Sequence, residues 1–212
     1  VDDIPDDKKP DHARVGEVVY RTAKELQGYI SRLEEIRVPV IAAVHGGVIG
    51  GALDLITACD MRFASKDAFF CIQEINIGMA ADVGTLQRLP KIIPDSKMRE
   101  MAYTGRRMLA DEAKDSGLVG EIYETQDEML DAVHKLAAEI ASKSPVAIYG
   151  LKAVMNYSRD HNVSDSLDFN ALWSGAMLSQ ADMTEAMTAQ MEKRDANFDK
   201  MVDVKKFNES KS

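Results

Sequence analysis

The passage that most narrows the folds open to this chain is VPVIAAVHGGVIGGALDLITACD, residues 38–60. Its opening VPVIAAV is a continuous apolar run, the pattern of a short strand buried on both faces of a parallel sheet. Two glycine pairs follow, Gly46-Gly47 and Gly50-Gly51, and then Leu53, Ile56 and Ala58 take up helical spacing. Strand, glycine-rich turn and helix in that order predict an α/β core.

The flanking segments extend that alternation. Residues 14–36 place Val15, Val18, Val19, Leu26, Tyr29, Ile30, Leu33 and Ile36 on one stripe, which predicts a surface helix packing that stripe inward. Residues 60–65, 67–72 and 118–124 read as strands; 83–90, 95–104, 110–116 and 126–143 read as helices. From Ser144 the pattern is helical throughout, over 146–158, 164–180 and 182–200. The chain therefore divides into an α/β core, 1–143, and a C-terminal helical region, 144–212. Met177, Met183, Met187 and Met191 fall near helical spacing and are expected to pack in the core or at a subunit interface.

Composition excludes several function classes. With 212 residues, 45% of them apolar, the chain is long enough for one sizeable core. A net charge of -9 argues against a nucleic-acid footprint, which needs clustered Lys and Arg, although Arg106-Arg107 offers a local place for a small anion. Cys59 and Cys71 sit among apolar neighbours and read as reduced core thiols. No run of 18 apolar residues suggests a membrane span, and no signal peptide opens the chain. The acidic VDDIPDDKKPDH start reads as a linker with material missing upstream, and the final Ser-Lys-Ser lacks the leucine of a peroxisomal Ser-Lys-Leu address.

The chemistry concentrates in CIQEINIGMAADVGTLQRLP, residues 71–90, where Glu74 and Asp82 stand in an apolar, glycine-punctuated run. Carboxylates are seldom buried unless something pairs with them or uses them. Ahead of them, the glycine pairs either form a close-packed turn or present N–H groups to an oxyanion at a helix N-terminus. His45 reads as a structural imidazole, since no nucleophile motif accompanies it. Asp54 lies in the first turns of the glycine-led helix, where the helix dipole alone would account for an acid. Asp60, Asp67, Asp95 and Asp111 have turn or N-cap explanations. Asp54, Glu74 and Asp82 lack the close spacing of a hard-cation loop, so no metal is expected.

VPVIAAVHGGVIGGALDLITACDMRFAS, FFCIQEINIGMAADVGTLQRLP and GRRMLADEAKDSGLV, in that order, resemble the crotonase (enoyl-CoA hydratase/isomerase) superfamily from about Arg37 onward. The resemblance implies a spiral ββα core, a C-terminal helical oligomerisation region, and a homotrimer or dimer of trimers acting on an acyl-CoA substrate. It implies no separate cofactor, coenzyme A being part of the substrate, and no nucleic-acid or membrane partner. It also implies that backbone N–H groups at Gly50-Gly51 bind a thioester enolate. Ala52 replaces the third glycine of the family's turn.

Within the superfamily the loop AADVGTLQRLP resembles the Δ3,5-Δ2,4-dienoyl-CoA isomerase branch, whose acids match Asp54, Glu74 and Asp82. That branch implies a role in fatty-acid beta-oxidation, with Glu74 as base at C2, Asp82 as acid at C6, and Asp54 positioning or polarising the pair. The alternatives left open are a 2-enoyl-CoA hydratase, for which Asp54 stands where a glutamate is expected, and a non-catalytic oligomerising or RNA-associated paralogue. The family's upstream strand and turn, which supply a second oxyanion donor, are not found here, so the core is expected to be N-terminally truncated. Bacterial cytoplasm and mitochondrial or peroxisomal matrix are equally compatible with the resemblance.

Overall fold

The computed structural model describes residues 11–203. The acidic start before Asp11 and the Ser-Lys-Ser end lie outside the described residues. The first element is α1 (His12–Glu35), followed by β1 (Ile41–Val44), β2 (Gly47–Ile49), α2 (Gly51–Thr57), β3 (Met61–Ser65) and β4 (Phe69–Cys71). A 3-10 helix (Glu74–Ile77) leads to α3 (Thr85–Arg88), a second 3-10 turn (Leu89–Lys91) and α4 (Asp95–Thr104). Next come β5 (Arg107–Leu109), α5 (Ala110–Asp115), β6 (Glu121–Tyr123) and α6 (Gln126–Ala141). The helices α7 (Pro145–Asp160), α8 (Val163–Met177) and α9 (Gln180–Glu192) complete the order. Thr125, Ser144, Asn162 and Ser179 start α6 to α9, each side-chain oxygen accepting a backbone N–H of the first turn.

Two small sheets carry the core. One is wholly parallel, in the order β1-β3-β6, with Ile41 opposite Met61 and Ser65 opposite Tyr123. The other runs β2-β4-β5, with β2 parallel and β5 antiparallel to β4. Sequence periodicity misses β2 and β5, because three residues are too few to display a period and β2 begins on a glycine. Phe70, Leu53, Leu89, Met101, Met108 and Leu118 are fully enclosed in one hydrophobic cluster. Burying one such side chain stabilises the fold by roughly 1.5–3 kcal/mol.

The expectation that α1 packs its apolar stripe inward is corrected. None of its residues is buried; Val18, Val19 and Tyr29 are each more than half exposed. The helix is held instead by polar groups on another face. Arg88 and Arg159 bond to the Glu34 carboxylate, Asn156 Nδ2 donates to the Glu34 carbonyl, and Gln27 and Ser31 join them at helical spacing.

Asp60, expected to be an ordinary turn residue, does more. Its Oδ2 accepts from Val40 N–H at 2.7 Å and from Lys152 Nζ at 2.8 Å. The Lys152 ammonium, only 3% exposed, gives its other bonds to the carbonyls of Leu33 and Val38 at 2.7 and 3.0 Å. One cation thus ties α7 to the end of α1, the approach to β1 and the α2–β3 turn.

The methionine stripe does not enter this core: Met183, Met187 and Met191 are 42%, 59% and 77% exposed. Met183, with Met177, borders a groove of about 480 Å3 that includes Val154, Trp173 and Phe198 among its walls. Lys152→Met should cost about 3–5 kcal/mol in urea unfolding, because it strands a poorly solvated Asp60 carboxylate and removes the donor from two carbonyls. Lys66→Met, which breaks an exposed pair with Glu124, should cost under about 1 kcal/mol in the same measurement.

Candidate functional site

The site is built where β2 ends and α2 begins. Gly50 has φ +54° and ψ -120°, a conformation that side chains rarely adopt. A Cβ placed there would stand 3.1 Å from Glu74 Oε1, so the turn and the Glu74 carboxylate share one wall. Of the two glycines expected to bind an oxyanion, Gly50 has its N–H committed to the Cys71 carbonyl at 3.0 Å. It shapes the turn and donates nothing outward. Gly51 is exposed, has open space in front of its Cα, and has no acceptor for its N–H among the described residues.

Glu74 opens the 3-10 helix that was legible in the sequence only as an irregular loop. Its carbonyl accepts from Met79 N–H at 2.9 Å, and Gly78 ends the turn in the left-handed region. The same short helix is clamped from outside by Asn76, whose Nδ2 donates to the Gly105 carbonyl and to Gln73 Oε1, each at 3.1 Å. Glu74 is half-buried, and its carboxylate has no hydrogen-bond or ion-pair partner among the described residues.

Asp82 lies further along in a stretch without regular structure and is exposed. Its carboxylate is likewise without a partner among the described residues, while its backbone carbonyl accepts from Gln27 Nε2 at 2.7 Å. Asp54 differs from both. It is 0% exposed, its Oδ1 accepts the Thr85 N–H, and its Oδ2 has no partner. An enclosed carboxylate bonded to the first N–H of α3 fixes where the loop containing Asp82 ends.

Beside this loop lies an apolar pocket of about 550 Å3, with Ile75, Met79, Ala80, Leu86, Ala102 and Tyr103 among its walls. It gives the loop an apolar side as well as an acidic one. Among the described residues no three His, Cys, Asp or Glu side chains group as a metal site requires. His45 is exposed rather than enclosed, next to an Asp67 that bonds Ser65 and the Gly46 N–H. Arg106, expected to be open to an anion, is taken by Glu100 and Glu112; the bonds from Arg106 and Lys97 hold the Glu112 carboxyl down to about 2. Cys59 and Cys71 are free and buried, and burial pushes both thiols up.

Gln27, Ser31, Glu34 and Arg88 are the site-supporting residues that sequence reasoning missed. The signal was present, since positions 27, 31 and 34 share one helical face. Burial pushes the Glu34 carboxyl up, but the bonds from Arg88 and Arg159 outweigh it and hold the group below its ordinary 4.5. A depressed folded-state pKa adds stability above 4.5 that is lost as pH falls below it. Glu34→Gln should therefore cost about 1.5–3 kcal/mol near neutral pH. In urea titrations at successive pH values, that difference should shrink through the acid range. Gly50→Ala should lower stability by about 1–3 kcal/mol through backbone strain and push the Glu74 carboxylate aside, checked by unfolding and by crystallography of the variant.

The enoyl-CoA hydratase/isomerase family model matches residues 15–201. The mitochondrial Δ3,5-Δ2,4-dienoyl-CoA isomerase of Rattus norvegicus is 50% identical over 189 residues, covering 85% of this chain and 58% of that one. The Homo sapiens mitochondrial protein of that name is 47% identical over 194 residues, covering 91% and 59%. The Arabidopsis thaliana peroxisomal one is 46% identical over 191 residues, covering 90% and 69%. The chain thus spans somewhat under three fifths of the length of the rat and human relatives it matches. Among solved structures, an enoyl-CoA hydratase from Bacillus anthracis superposes with a TM-score of 0.80 at 28% identity, covering 86% of this chain and 70% of that one. One from Mycobacterium tuberculosis H37Rv gives 0.73 at 31% identity, covering 77% and 64%. The α/β arrangement of helices and small sheets described above is therefore crotonase-like, and the chain belongs to the enoyl-CoA hydratase/isomerase family.

Proposed function

We propose that this chain carries the acid–base half of a Δ3,5-Δ2,4-dienoyl-CoA isomerase site in fatty-acid beta-oxidation. One observation carries the reading: among the described residues Glu74 and Asp82, two carboxylates on one pinned loop, are left without hydrogen-bond or ion-pair partners, while the enclosed Asp54 gives one of its oxygens to the Thr85 N–H. Shifting a conjugated diene from 3,5 to 2,4 removes a proton beside the thioester carbonyl and adds one at the far end of the diene. That work needs two separated, unspent proton carriers, and a hydratase would need only the first of these positions together with a second acid able to reach water. The enclosure of Asp54 weighs against that second reading.

In this reading Glu74 takes the proton from C2, negative charge develops on the thioester oxygen, and Asp82 delivers a proton at C6. The open Gly51 N–H supports the developing oxyanion; removing one such donor typically costs about 3–4 kcal/mol of transition-state stabilisation. Coenzyme A enters as part of the substrate and no further cofactor is invoked. The exposed Leu151, Met155, Leu172, Met187 and Met191 of the C-terminal helices support assembly as a homotrimer or dimer of trimers. Relatives named mitochondrial and peroxisomal support a matrix location. Among the described residues no helix is long and apolar enough to cross a membrane.

The test is conversion of a 3,5-dienoyl-CoA by the full-length protein. Asp82→Asn and Glu74→Gln should each lower kcat by about 10²–10⁴-fold, as loss of a general acid or base does, with acyl-CoA binding retained. Absence of 2,4-dienoyl product from the unmodified protein, or wild-type turnover by Asp82→Asn, would overturn the proposal.

A further inference from the structure

The loop that presents Asp82 is held at its two ends by Met79 N–H on the Glu74 carbonyl and Thr85 N–H on Asp54. Between those points, among the described residues, one hydrogen bond is made by residues 80–83: Gln27 Nε2 donates to the Asp82 carbonyl. The neighbouring Ala81 is 7% exposed and packs into the core, which fixes the loop's depth but not the rotation of the Asp82–Val83 peptide. A directional N–H···O=C bond fixes that peptide plane, and with it the direction in which the Asp82 side chain leaves the backbone.

The helix backbone at Gln27 is itself held. Ser31 Oγ donates to the Gln27 carbonyl at 2.8 Å and accepts from Arg88 at 2.9 Å. Arg88 also gives two bonds to Glu34 Oε2, at 3.1 and 2.8 Å, and its guanidinium lies over Gly84, where a Cβ would collide with it. The stripe Gln27, Ser31 and Glu34 therefore grips the loop at Asp82 and again at Arg88, the last residue of the next helix.

We infer that Gln27 is a positioning residue for the far-end proton transfer, with Ser31, Glu34 and Arg88 as its support. The inference rests on the reading of Asp82 as the acid at C6. Its consequence is an uncoupling: loss of the Gln27 donor disturbs delivery by Asp82 while leaving removal of the C2 proton by Glu74 intact.

The experiment uses full-length protein, a 3,5-dienoyl-CoA in heavy water, and the variants Gln27→Glu and Gln27→Met. Both are close in size to glutamine; the first removes the donor with added charge, the second without it. Product formation should fall roughly ten- to hundredfold in both, the scale expected of a small misplacement of a reacting group. Deuterium exchange at C2 and KM should stay within about twofold of wild type, which separates a transition-state loss from a binding loss. Parallel loss of exchange and product, unchanged product formation in either variant, or a defect in Gln27→Glu alone would each overturn the inference. Wild-type protein showing neither exchange nor product would overturn the isomerase reading, and this inference with it. That outcome is distinct because it appears before any variant is made.

Discussion

The Lys152 ammonium is the interaction on which the arrangement of the site depends. A cation 3% exposed is costly unless its donors are satisfied, and here they go to Leu33, Val38 and Asp60 on three separate segments. Those segments are the end of α1, the entry to β1 and the turn from α2 into β3. The glycine turn lies between the second and the third. Fixing both ends of that span limits where Gly50 and Gly51 can stand relative to α1. The position of the turn that borders Glu74 is therefore set, in part, by a residue of the C-terminal helical region.

The second constraint is a division of labour among acids. Glu34, Glu100, Glu112, Asp160 and Glu185 are all taken up by guanidinium or ammonium groups, and the partners hold each carboxyl below its ordinary value. Asp54 is spent on a backbone N–H, Asp60 on Lys152 and Asp67 on Ser65. A carboxylate held by a cation loses that attraction when it takes a proton, which makes it a poor shuttle. Glu74 and Asp82 lack that handicap, and both belong to the one passage between β4 and α3.

Much of this was legible in the sequence, for identifiable reasons. Among the longer helices, α4 at 95–104, α6 to within two residues and α7 within two at each end were read close to their observed bounds, whereas α9, read to 200, ends at Glu192. β1, β3 and β4 were found from apolar runs, whereas β2, β5 and the 3-10 helix at Glu74 were too short to carry any period. The three acids were singled out by type and by resemblance. Their differing fates were not legible, because enclosure of Asp54 against Thr85 is a contact across 31 positions. The same holds for Lys152, whose acceptors lie 92 to 119 positions away and whose own sequence neighbourhood looks like any helix.

The misread orientation of α1 has the most instructive cause. The rule that an apolar stripe faces inward assumes a helix with one face to bury, and α1 has two candidate faces. Along one run Val15, Val18, Val19 and Leu26, all largely exposed; along the other run Gln27, Ser31 and Glu34, which bond to the loop and to Arg88. Apolar packing is non-directional and would hold the helix at a distance without fixing what it touches. Hydrogen bonds from an amide and a carboxylate fix both distance and angle, and cost stability if they are broken and left unsatisfied. Gln27 makes the second kind of contact with the Asp82 carbonyl, so the polar face of α1 is the one turned toward that loop.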